Sequence, residues 1–253
     1  MFTRKSLILA NEKVEYLQSD TIGFRHGYFT RLGGVSKAPY DSLNVTTRVG
    51  DDAKNVAENR KRALAALKLK PENLAFLDGL EHSDRILAVS EAARGLDFNG
   101  YDAIMTNKAD VVIGISVADC AVVLLVSEAD GVVGLAHAGW RGAAANIVPK
   151  LIEGMREEYG VDSANIKAVI GPHHTVDTYE FGPEVSKHFD QRYIVSRDGA
   201  QYLDVKLALV DQLAEAGVES VDEFGVNTFT DERFFSHRRD NGDTGRFLVL
   251  ATL

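Results

Sequence analysis

The most constraining feature of the chain is a hairpin pattern near its centre. Two apolar segments, residues 121–126 and 132–136, flank a polar break with the sequence Ser-Glu-Ala-Asp-Gly. Strand-length apolar runs around a glycine-containing turn are typical of a β-hairpin. The second arm continues into a His-Ala-Gly-Trp-Arg-Gly run, residues 137–142, which contains the only tryptophan. The pattern predicts a buried antiparallel pair at the heart of the fold.

The predicted register of this hairpin brings a thiol close to an imidazole. If Val126 lies opposite Val132, then Cys120, the only cysteine, and His137 fall on neighbouring rungs. Directly opposed residues of such a pair have Cβ atoms roughly 5 Å apart. At that range the two groups can share a proton or a metal ion. The alternative is a chemically inert cysteine, because free cysteine is among the most buried residue types.

Composition and charge exclude several classes of protein. A formal net charge of −9 argues against a general nucleic-acid binder, which would carry a basic surface. A single cysteine excludes an internal disulfide framework and is typical of a reducing compartment. No apolar stretch approaches the ~20 residues of a membrane span, and the run at residues 7–10 is too short for a signal-peptide core. We therefore expect a cytoplasmic protein with neither a membrane nor a nucleic-acid partner.

The rest of the chain predicts an α+β fold in one domain, residues 1–253. No linker or internal repeat divides it, and strands outnumber helices without strict alternation, which favours mixed sheets over a doubly wound architecture. The predicted helices cover residues 54–68 after Asp51 or Asp52, a segment ending near Tyr159, residues 182–189, and a segment capped by Asp204. Further predicted strands cover residues 24–31, 74–77, 85–89, 103–105, 111–117, 166–170 and 247–250.

A second histidine, His82, lies in a polar bend at residues 78–84. Nothing in the local sequence ties it to the hairpin, and it could be a solvated surface residue. If His82 joins Cys120 and His137, two imidazoles and a thiolate leave a fourth position open, as in a catalytic zinc site. The same ligands describe a blue-copper site, but none of the three methionines lies beside a candidate ligand.

Basic residues concentrate in one segment of this acidic chain. Ser-His-Arg-Arg at residues 236–239 is followed by Arg246, and arginine forks suit phosphate or carboxylate groups. The alternative is a solvated loop with scattered ion pairs. Two further histidines, His173 and His174, follow a Gly-Pro pair, and adjacent residues on a strand point oppositely, so at most one should face a given site.

Taken in order, these and other motifs identify a family. The matching elements are His26-Gly-Tyr-Phe-Thr-Arg31, Gly33-Gly34-Val-Ser36, Ser42-Leu-Asn44, Val49-Gly-Asp-Asp52, Asn59-Arg60, Tyr101-Asp-Ala103, Ala118-Asp-Cys120, His137-Ala-Gly-Trp-Arg-Gly142, Gly171-Pro172, Tyr179-Glu180 and Phe235-Ser-His-Arg-Arg239. They run nearly end to end, and the chain resembles the laccase-domain family, also described as multicopper polyphenol oxidoreductases, peptidoglycan-editing factors and purine nucleoside phosphorylases.

The resemblance implies a site, a fold and an activity. It implies that His82, Cys120 and His137 bind one zinc ion, with copper as a possible substitute. It implies mixed sheets packed together under flanking helices, an αββα-type sandwich. The implied activity is phosphorolysis of inosine and adenosine, in some members with methylthioadenosine phosphorolysis or adenosine deamination.

Roles for the other polar residues follow as hypotheses. The candidate phosphate-binding residues are Arg48, His237, Arg238, Arg239 and Arg246, and the candidate catalytic residues are Asp119, Glu180 and Arg141, with Glu81 a further possibility for proton transfer. Asp119 precedes Cys120 directly, so on a regular strand its side chain would point away from the metal.

The chain departs from the family pattern at three places. Leu80 and Glu81 replace the usual Gln-x before the first ligand, Ala121-Val122 replaces x-Pro after the cysteine, and His173 replaces a cysteine after Gly-Pro. Substrate preference is therefore open. The rivals are a copper-dependent polyphenol oxidase, for which seven scattered histidines are few, a cytosolic zinc amidohydrolase acting on peptidoglycan precursors, and a binding module without a metal centre.

Overall fold

The computed structural model describes residues 2–9 and 12–253, with side chains from Lys13 onward. These residues form sixteen strands and five α-helices. The strands are β1 (Phe2–Leu9), β2 (Glu12–Ser19), β3 (Arg25–Phe29), β4 (Leu74–Gly79), β5 (Ile86–Ala88), β6 (Leu96–Asn99), β7 (Ala103–Thr106), β8 (Val112–Val117), β9 (Ala121–Ser127), β10 (Val132–Ala138), β11 (Ile166–Ile170), β12 (Glu180–Phe181), β13 (Ile194–Arg197), β14 (Ala200–Leu203), β15 (Ser220–Glu223) and β16 (Phe247–Thr252). The helices are α1 (Ala53–Ala66), α2 (Trp140–Ala144), α3 (Ile147–Tyr159), α4 (Pro183–Ser186) and α5 (Val205–Glu215).

Two mixed sheets dominate the architecture. The first has the strand order β1-β2-β3-β16-β8-β4-β6 and the second the order β15-β11-β9-β10-β7-β5, while β12, β14 and β13 form a small third sheet. The inner faces of the two large sheets share one apolar core, in which Tyr28 and Ile115 of the first meet Leu124 and Leu135 of the second. Burying alternate residues of both sheets is what makes such a sandwich stable.

Helices cover the outer faces of both sheets. The apolar side of α1 packs on the first sheet, and α3 and α5 pack on the second. The order of layers is therefore helix, sheet, sheet, helix, and the predicted α+β fold of the αββα type is confirmed. The predicted caps are also present, since Asp52 accepts a hydrogen bond from the Lys54 N–H at 2.7 Å and Asp204 accepts one from the Leu207 N–H at 2.8 Å. None of the helices in the described part of the chain is long and apolar enough to cross a membrane.

The central hairpin is present, but its predicted register was wrong by one residue. Val126 pairs with Val133, and Val132 pairs with Ser127. The turn keeps four residues, 128–131, because the Ser127 hydroxyl donates to Asp130 at 2.6 Å and closes it. Shifting a strand by one residue reverses the face of every side chain relative to its partner strand.

The observed register changes which groups meet at the open end of the hairpin. His137 lies opposite Val122, and Cys120 precedes β9 by one residue. Because Cys120 and Val122 lie two residues apart, they share a face, and His137 shares it with them. The predicted pairing would have placed the thiol and the imidazole on opposite faces. The correction therefore strengthens the predicted contact.

The bend that carries His82 connects the two large sheets. The flanking strands, β4 and β5, match the predicted ones closely, but β4 belongs to the first sheet and β5 to the second. The chain crosses between the layers at residues 80–85, at the same edge where the hairpin opens. The predicted helix at 182–189 is shorter than expected, since α4 covers only Pro183–Ser186.

Candidate metal centre and cleft

A cleft of about 450 Å³ opens at the edge of the sandwich where the hairpin ends. It brings together most of the predicted site residues, namely His82, Cys120 and His137 with Arg48, Asp119, Arg141, His237, Arg238 and Arg246. Arg239 and Glu180 do not line it. Residues from the 46–49, 78–82, 116–120, 137–141 and 237–246 segments meet here, so the site is built from distant parts of the chain.

His137 is buried at the base of the cleft and bound to a carboxylate. It lies in β10 and is 3% exposed, and its Nδ1 atom is 2.7 Å from Oδ1 of Asp102. Burial by itself would lower the pKa of His137, but its interactions with the neighbouring Cys120 and with Asp102 raise that pKa to about 9. The thiol and the imidazole of the hairpin therefore form an interacting pair.

His82 reaches the same place from the opposite side. Its ring centroid lies 5.1 Å from that of His137, with the ring planes inclined at 43°. The residue has a left-handed backbone, with φ at 55°, and its side chain is exposed. Left-handed backbone is uncommon outside glycine and is held by its surroundings.

Asp102 holds both histidines and was not predicted as a site residue. Its Oδ1 accepts from the ring of His137 and from the His82 N–H at 3.1 Å. Its Oδ2 accepts from the Ser83 N–H at 2.7 Å, the Ser83 hydroxyl at 2.8 Å and the Glu81 N–H at 3.2 Å. Burial would raise the pKa of Asp102, but the hydrogen bonds from His137 and Ser83 lower it to about 2. The one sequence signal for it was its place in the Tyr-Asp-Ala motif.

The base of the cleft contains a group of side chains that could hold a metal ion. Among the described residues, ligand atoms of His82, Asp102 and His137 lie within 4.8 Å of one another. The Asp102 carboxylate already accepts five hydrogen bonds, whereas Nε2 of His137 and Sγ of Cys120 both lie next to Gly139, at 3.5 and 2.7 Å from where a Cβ atom would stand there. Cys120 is not part of this group of three, so the predicted set of two imidazoles and a thiolate, as in a catalytic zinc site, stays a prediction.

Asp119 lines the cleft because it lies in a turn and not on a regular strand. Its φ angle is 79°, so the expectation that its side chain would point away does not apply. The carboxylate accepts from the Thr228 hydroxyl and from the Arg238 N–H, each at 2.7 Å. Asp119 thus ties the segment that carries the arginines to the end of the hairpin.

The four arginines of the cleft, Arg48, Arg141, Arg238 and Arg246, share one property. In the part of the chain that the structure describes, no carboxylate lies within ion-pair distance of any of them. Arg238 donates to the Glu180 carbonyl at 2.8 Å and lies over the Tyr179 ring. Burial lowers the pKa of Arg246, which is consistent with a charge that has little solvent around it.

Arg239 and Glu180 have other positions. The Arg239 guanidinium forms an ion pair with Asp240 at 2.9 Å and donates to the carbonyls of Thr228 and Phe234 at 3.0 and 2.9 Å. It therefore braces its own loop. Glu180 is exposed and lines a neighbouring cavity of about 570 Å³, and only its backbone carbonyl serves the cleft, through Arg238.

Aromatic rings stack at one wall of the cleft. His174 lies between Phe229, at a centroid distance of 5.0 Å, and Tyr179, at 4.7 Å. It is 3% exposed, and neither ring nitrogen has a hydrogen-bond partner of standard geometry among the described residues. His173 lies outside the cleft, and its Nδ1 is 2.9 Å from the Gly171 carbonyl. Only one of the two adjacent histidines therefore lines the cleft.

Comparison with known proteins agrees with this picture. The family described as multi-copper polyphenol oxidoreductase laccase matches residues 25–253. A purine nucleoside phosphorylase of Deinococcus radiodurans is 35% identical over 94% of this chain and 92% of its own, and one of Corynebacterium glutamicum is 34% identical over 88% and 91%. The crystal structure of a Bacillus licheniformis hypothetical protein, YfiH, superposes with a TM-score of 0.89 at 27% identity, covering 98% of each chain.

Proposed function

The chain belongs to the multi-copper polyphenol oxidoreductase laccase family, and from this membership we propose that it is a zinc-dependent purine nucleoside phosphorylase acting on inosine and adenosine. Its similar relatives bear the name purine nucleoside phosphorylase. The observation that carries the proposal is the meeting, in one cleft, of two histidines and a cysteine with four arginines that no described carboxylate neutralises. Such a cleft offers sites for a metal ion and for an anion side by side.

The arginines supply the phosphate site of the proposal. The chain has 37 acidic and 28 basic residues, so four arginines in one cleft without a described carboxylate partner make that cleft a basic site in an acidic protein. Arg238 and Arg246 lie on the segment that Asp119 anchors, and Arg48 and Arg141 approach from other sides. Planar guanidinium groups bind phosphate oxygens through paired hydrogen bonds. We assign Arg238 and Arg246 as the principal phosphate ligands, with Arg48 and Arg141 further ones and His237 at the rim.

The remaining wall suits a nucleoside. Leu80, Val117 and Ala118 give the cleft an apolar patch, and Tyr179 borders it with an aromatic ring. The volume lies within the range of roughly 300–1,000 Å³ that small-molecule sites occupy. A purine would rest on the apolar patch, with its ribose directed toward the arginines.

The reaction exchanges one bond at the ribose for another. A phosphate oxygen forms a bond to C1′ while the bond from C1′ to the purine N9 breaks, and the proton carried by the phosphate ends on the purine. The arginines orient the phosphate and offset its charge, which is the largest contribution a protein makes to such a step. Zinc held by His82, Cys120 and His137 would supply a Lewis acid at the base of the cleft. Asp119 keeps Arg238 in place through the backbone.

A phosphate-dependence assay tests the proposal. Inosine incubated with the protein should release hypoxanthine and ribose 1-phosphate only when phosphate is present, as followed by chromatography. Release without phosphate would make the protein a hydrolase. No release, together with cleavage of a peptidoglycan precursor, would favour an amidohydrolase. Adenosine and methylthioadenosine in the same assay test the wider activities, since inosine formed from adenosine would reveal deamination.

Metal analysis tests the zinc assignment separately. Protein produced without added copper should contain near one zinc per chain, and Cys120→Ala should lose it while keeping the wild-type far-ultraviolet circular dichroism. Two or more copper ions per chain with phenol oxidation would contradict the proposal and support the oxidase. The described residues contain one cluster of candidate ligands, which is little for a multicopper centre.

A further inference from the structure

We propose that Asp102 is the positioning residue that pre-forms the metal centre, holding both histidines without being a ligand itself. The inference rests on the proposed zinc site. It starts from a single fully buried carboxylate that contacts the two segments bearing His82 and His137. These segments lie 55 residues apart in the chain, and Asp102 belongs to neither of them.

Asp102 holds His137 through two hydrogen bonds, one to its backbone and one to its ring. The backbone carbonyl of Asp102 accepts from the His137 N–H at 2.7 Å, and its Oδ1 is 2.7 Å from Nδ1 of the ring. An ionised carboxylate only accepts hydrogen bonds, so Nδ1 carries the proton. In its neutral, metal-binding form the ring therefore presents the lone pair of Nε2, on the side where the Cys120 sulfur lies. Carboxylates commonly fix the tautomer and orientation of metal-binding histidines in this way.

Asp102 also binds the backbone of the loop that carries His82. Three successive backbone N–H groups, those of Glu81, His82 and Ser83, converge on the Asp102 carboxylate at 3.2, 3.1 and 2.7 Å. Backbone N–H groups in such turns form concavities that bind anions. Here the anion is a side chain of the same protein, and the left-handed backbone of His82 is part of the turn. The position of His82 is thereby set relative to His137.

The same contacts argue against a ligand role for Asp102, although its oxygens lie close enough to both imidazoles. Five donors point at the two carboxylate oxygens, which have about four lone-pair sites between them. A metal bond would displace N–H groups that have no other partner in the turn, and a buried unpaired donor costs about 1–3 kcal/mol. The Cys120 sulfur carries no such set of bonds, so it remains the third ligand.

The substitution Asp102→Asn tests the inference. An amide cannot accept from every donor, since its NH₂ group must face the Ser83 side or the His137 side. We expect zinc affinity, measured by competition with a chromogenic chelator, to fall about 10- to 100-fold, the usual cost of losing a carboxylate behind a metal-binding histidine. Cobalt-substituted Asp102→Asn should keep the sulfur-to-cobalt charge-transfer band, because Cys120 still binds the metal.

A readout without any metal checks the same role. In the metal-free wild type, at a pH high enough for the ring to be neutral, ¹⁵N spectra of the histidine rings should show His137 as the Nδ1–H tautomer alone, and in Asp102→Asn as a mixture. The matched control is Asp51→Asn, which removes a carboxylate that accepts from Ser36 and Asn44 at 2.6 and 2.8 Å but touches no histidine. Its zinc affinity should stay within twofold of the wild type.

Three results would overturn the inference. Wild-type zinc affinity in Asp102→Asn would exclude a positioning role. A metal retained in Cys120→Ala, with no charge-transfer band in the cobalt wild type, would make Asp102 a ligand. If Asp102→Asn does not fold, Ser83→Ala removes the hydroxyl bond to Asp102 at 2.8 Å, together with two longer bonds to the Gly100 carbonyl and the Arg85 N–H at 3.4 and 3.3 Å. Unchanged zinc affinity in this variant would contradict the role of Asp102 in holding the His82 loop. None of these measurements depends on enzymatic turnover. If the protein shows the expected zinc affinities and spectra but no phosphorolysis, the proposed function is wrong and the role of Asp102 stands.

Discussion

The two histidines of the cleft are held in very different ways. His137 lies in a buried strand, and both its backbone N–H and its ring bond to Asp102. His82 lies in an exposed loop, and only its backbone N–H reaches Asp102. One imidazole is therefore fixed before any ligand arrives, while the other can still rotate. Both are proposed metal ligands, and they differ in what else they support: the His137 ring also pairs with a buried carboxylate, whereas the His82 ring does not.

The largest expected effect comes from removing each imidazole in turn. Both His82→Ala and His137→Ala should lose zinc and phosphorolysis, because each takes away one of the three proposed ligands. Only His137→Ala should also lower the free energy of unfolding, by about 1–3 kcal/mol, since it leaves the buried Asp102 without its ring partner. Metal content and urea unfolding of the metal-free proteins measure the two effects. Equal stability losses in the two variants would contradict the comparison.

Two adjacent arginines repeat the contrast. Arg239 is tied to Asp240 and to two backbone carbonyls, whereas Arg238 makes one carbonyl bond and lies over Tyr179. Arg238→Ala should weaken phosphate binding by about 1.5–3 kcal/mol, roughly a tenfold to hundredfold rise in KM for phosphate. Arg239→Ala should destabilise the fold and leave that KM nearly unchanged. Steady-state kinetics measure the KM for phosphate in both variants, and thermal melts measure their stability. A raised KM in Arg239→Ala with no change in Arg238→Ala would mean that Arg239 binds the phosphate.

The parts of the fold that depend on local sequence pattern could be predicted from the sequence. Strands, caps and the hairpin were predictable because apolar periodicity and capping residues act locally, as with Asp52 before α1. The register was missed by one residue because the Ser127–Asp130 bond decides it, and apolar runs on both arms give no alternation to count. Val126 therefore pairs with Val133 and not with Val132.

The parts of the site that depend on long-range contacts were not predictable from local pattern. His82 entered only through the family resemblance, because its loop approaches the hairpin by crossing from one sheet to the other. Asp102 was not predicted as a site residue, because the sequence of a carboxylate before a strand does not show whether its side chain faces solvent or two histidines. Arg238 and Arg239 could not be told apart, since their roles differ by which groups surround them after folding.

A smaller effect is expected from two glycines of the His-Ala-Gly-Trp-Arg-Gly turn, because one lies beside a proposed metal ligand and the other beside the backbone of a buried strand. A Cβ atom at Gly139 would lie 2.7 Å from the Cys120 sulfur, and one at Gly142 would lie 2.6 Å from the His137 carbonyl oxygen. The thiol can rotate away but the carbonyl of a buried strand cannot. Gly139→Ala should therefore weaken zinc binding about tenfold in a stable protein, comparable to the loss of a supporting group. Gly142→Ala should cost about 1–3 kcal/mol of stability through overpacking.

Competition with a chelator and thermal melts separate these two variants. Unchanged zinc affinity in Gly139→Ala would show that zinc binding does not depend on the observed position of the Cys120 sulfur beside Gly139. That outcome would weaken the assignment of the thiolate as a ligand.

The smallest expected effect concerns the adjacent pair His173 and His174. His173 is held by the Gly171 carbonyl, whereas His174 is stacked between two rings with free nitrogens facing no described partner. His174→Phe keeps the stack and removes the nitrogens, so KM for inosine should rise roughly 2- to 10-fold, the value of one neutral hydrogen bond, with KM for phosphate unchanged. His173→Phe should instead lower stability by about 1 kcal/mol without affecting either KM. If His174→Phe leaves both constants unchanged, the imidazole serves packing alone and does not contact the nucleoside.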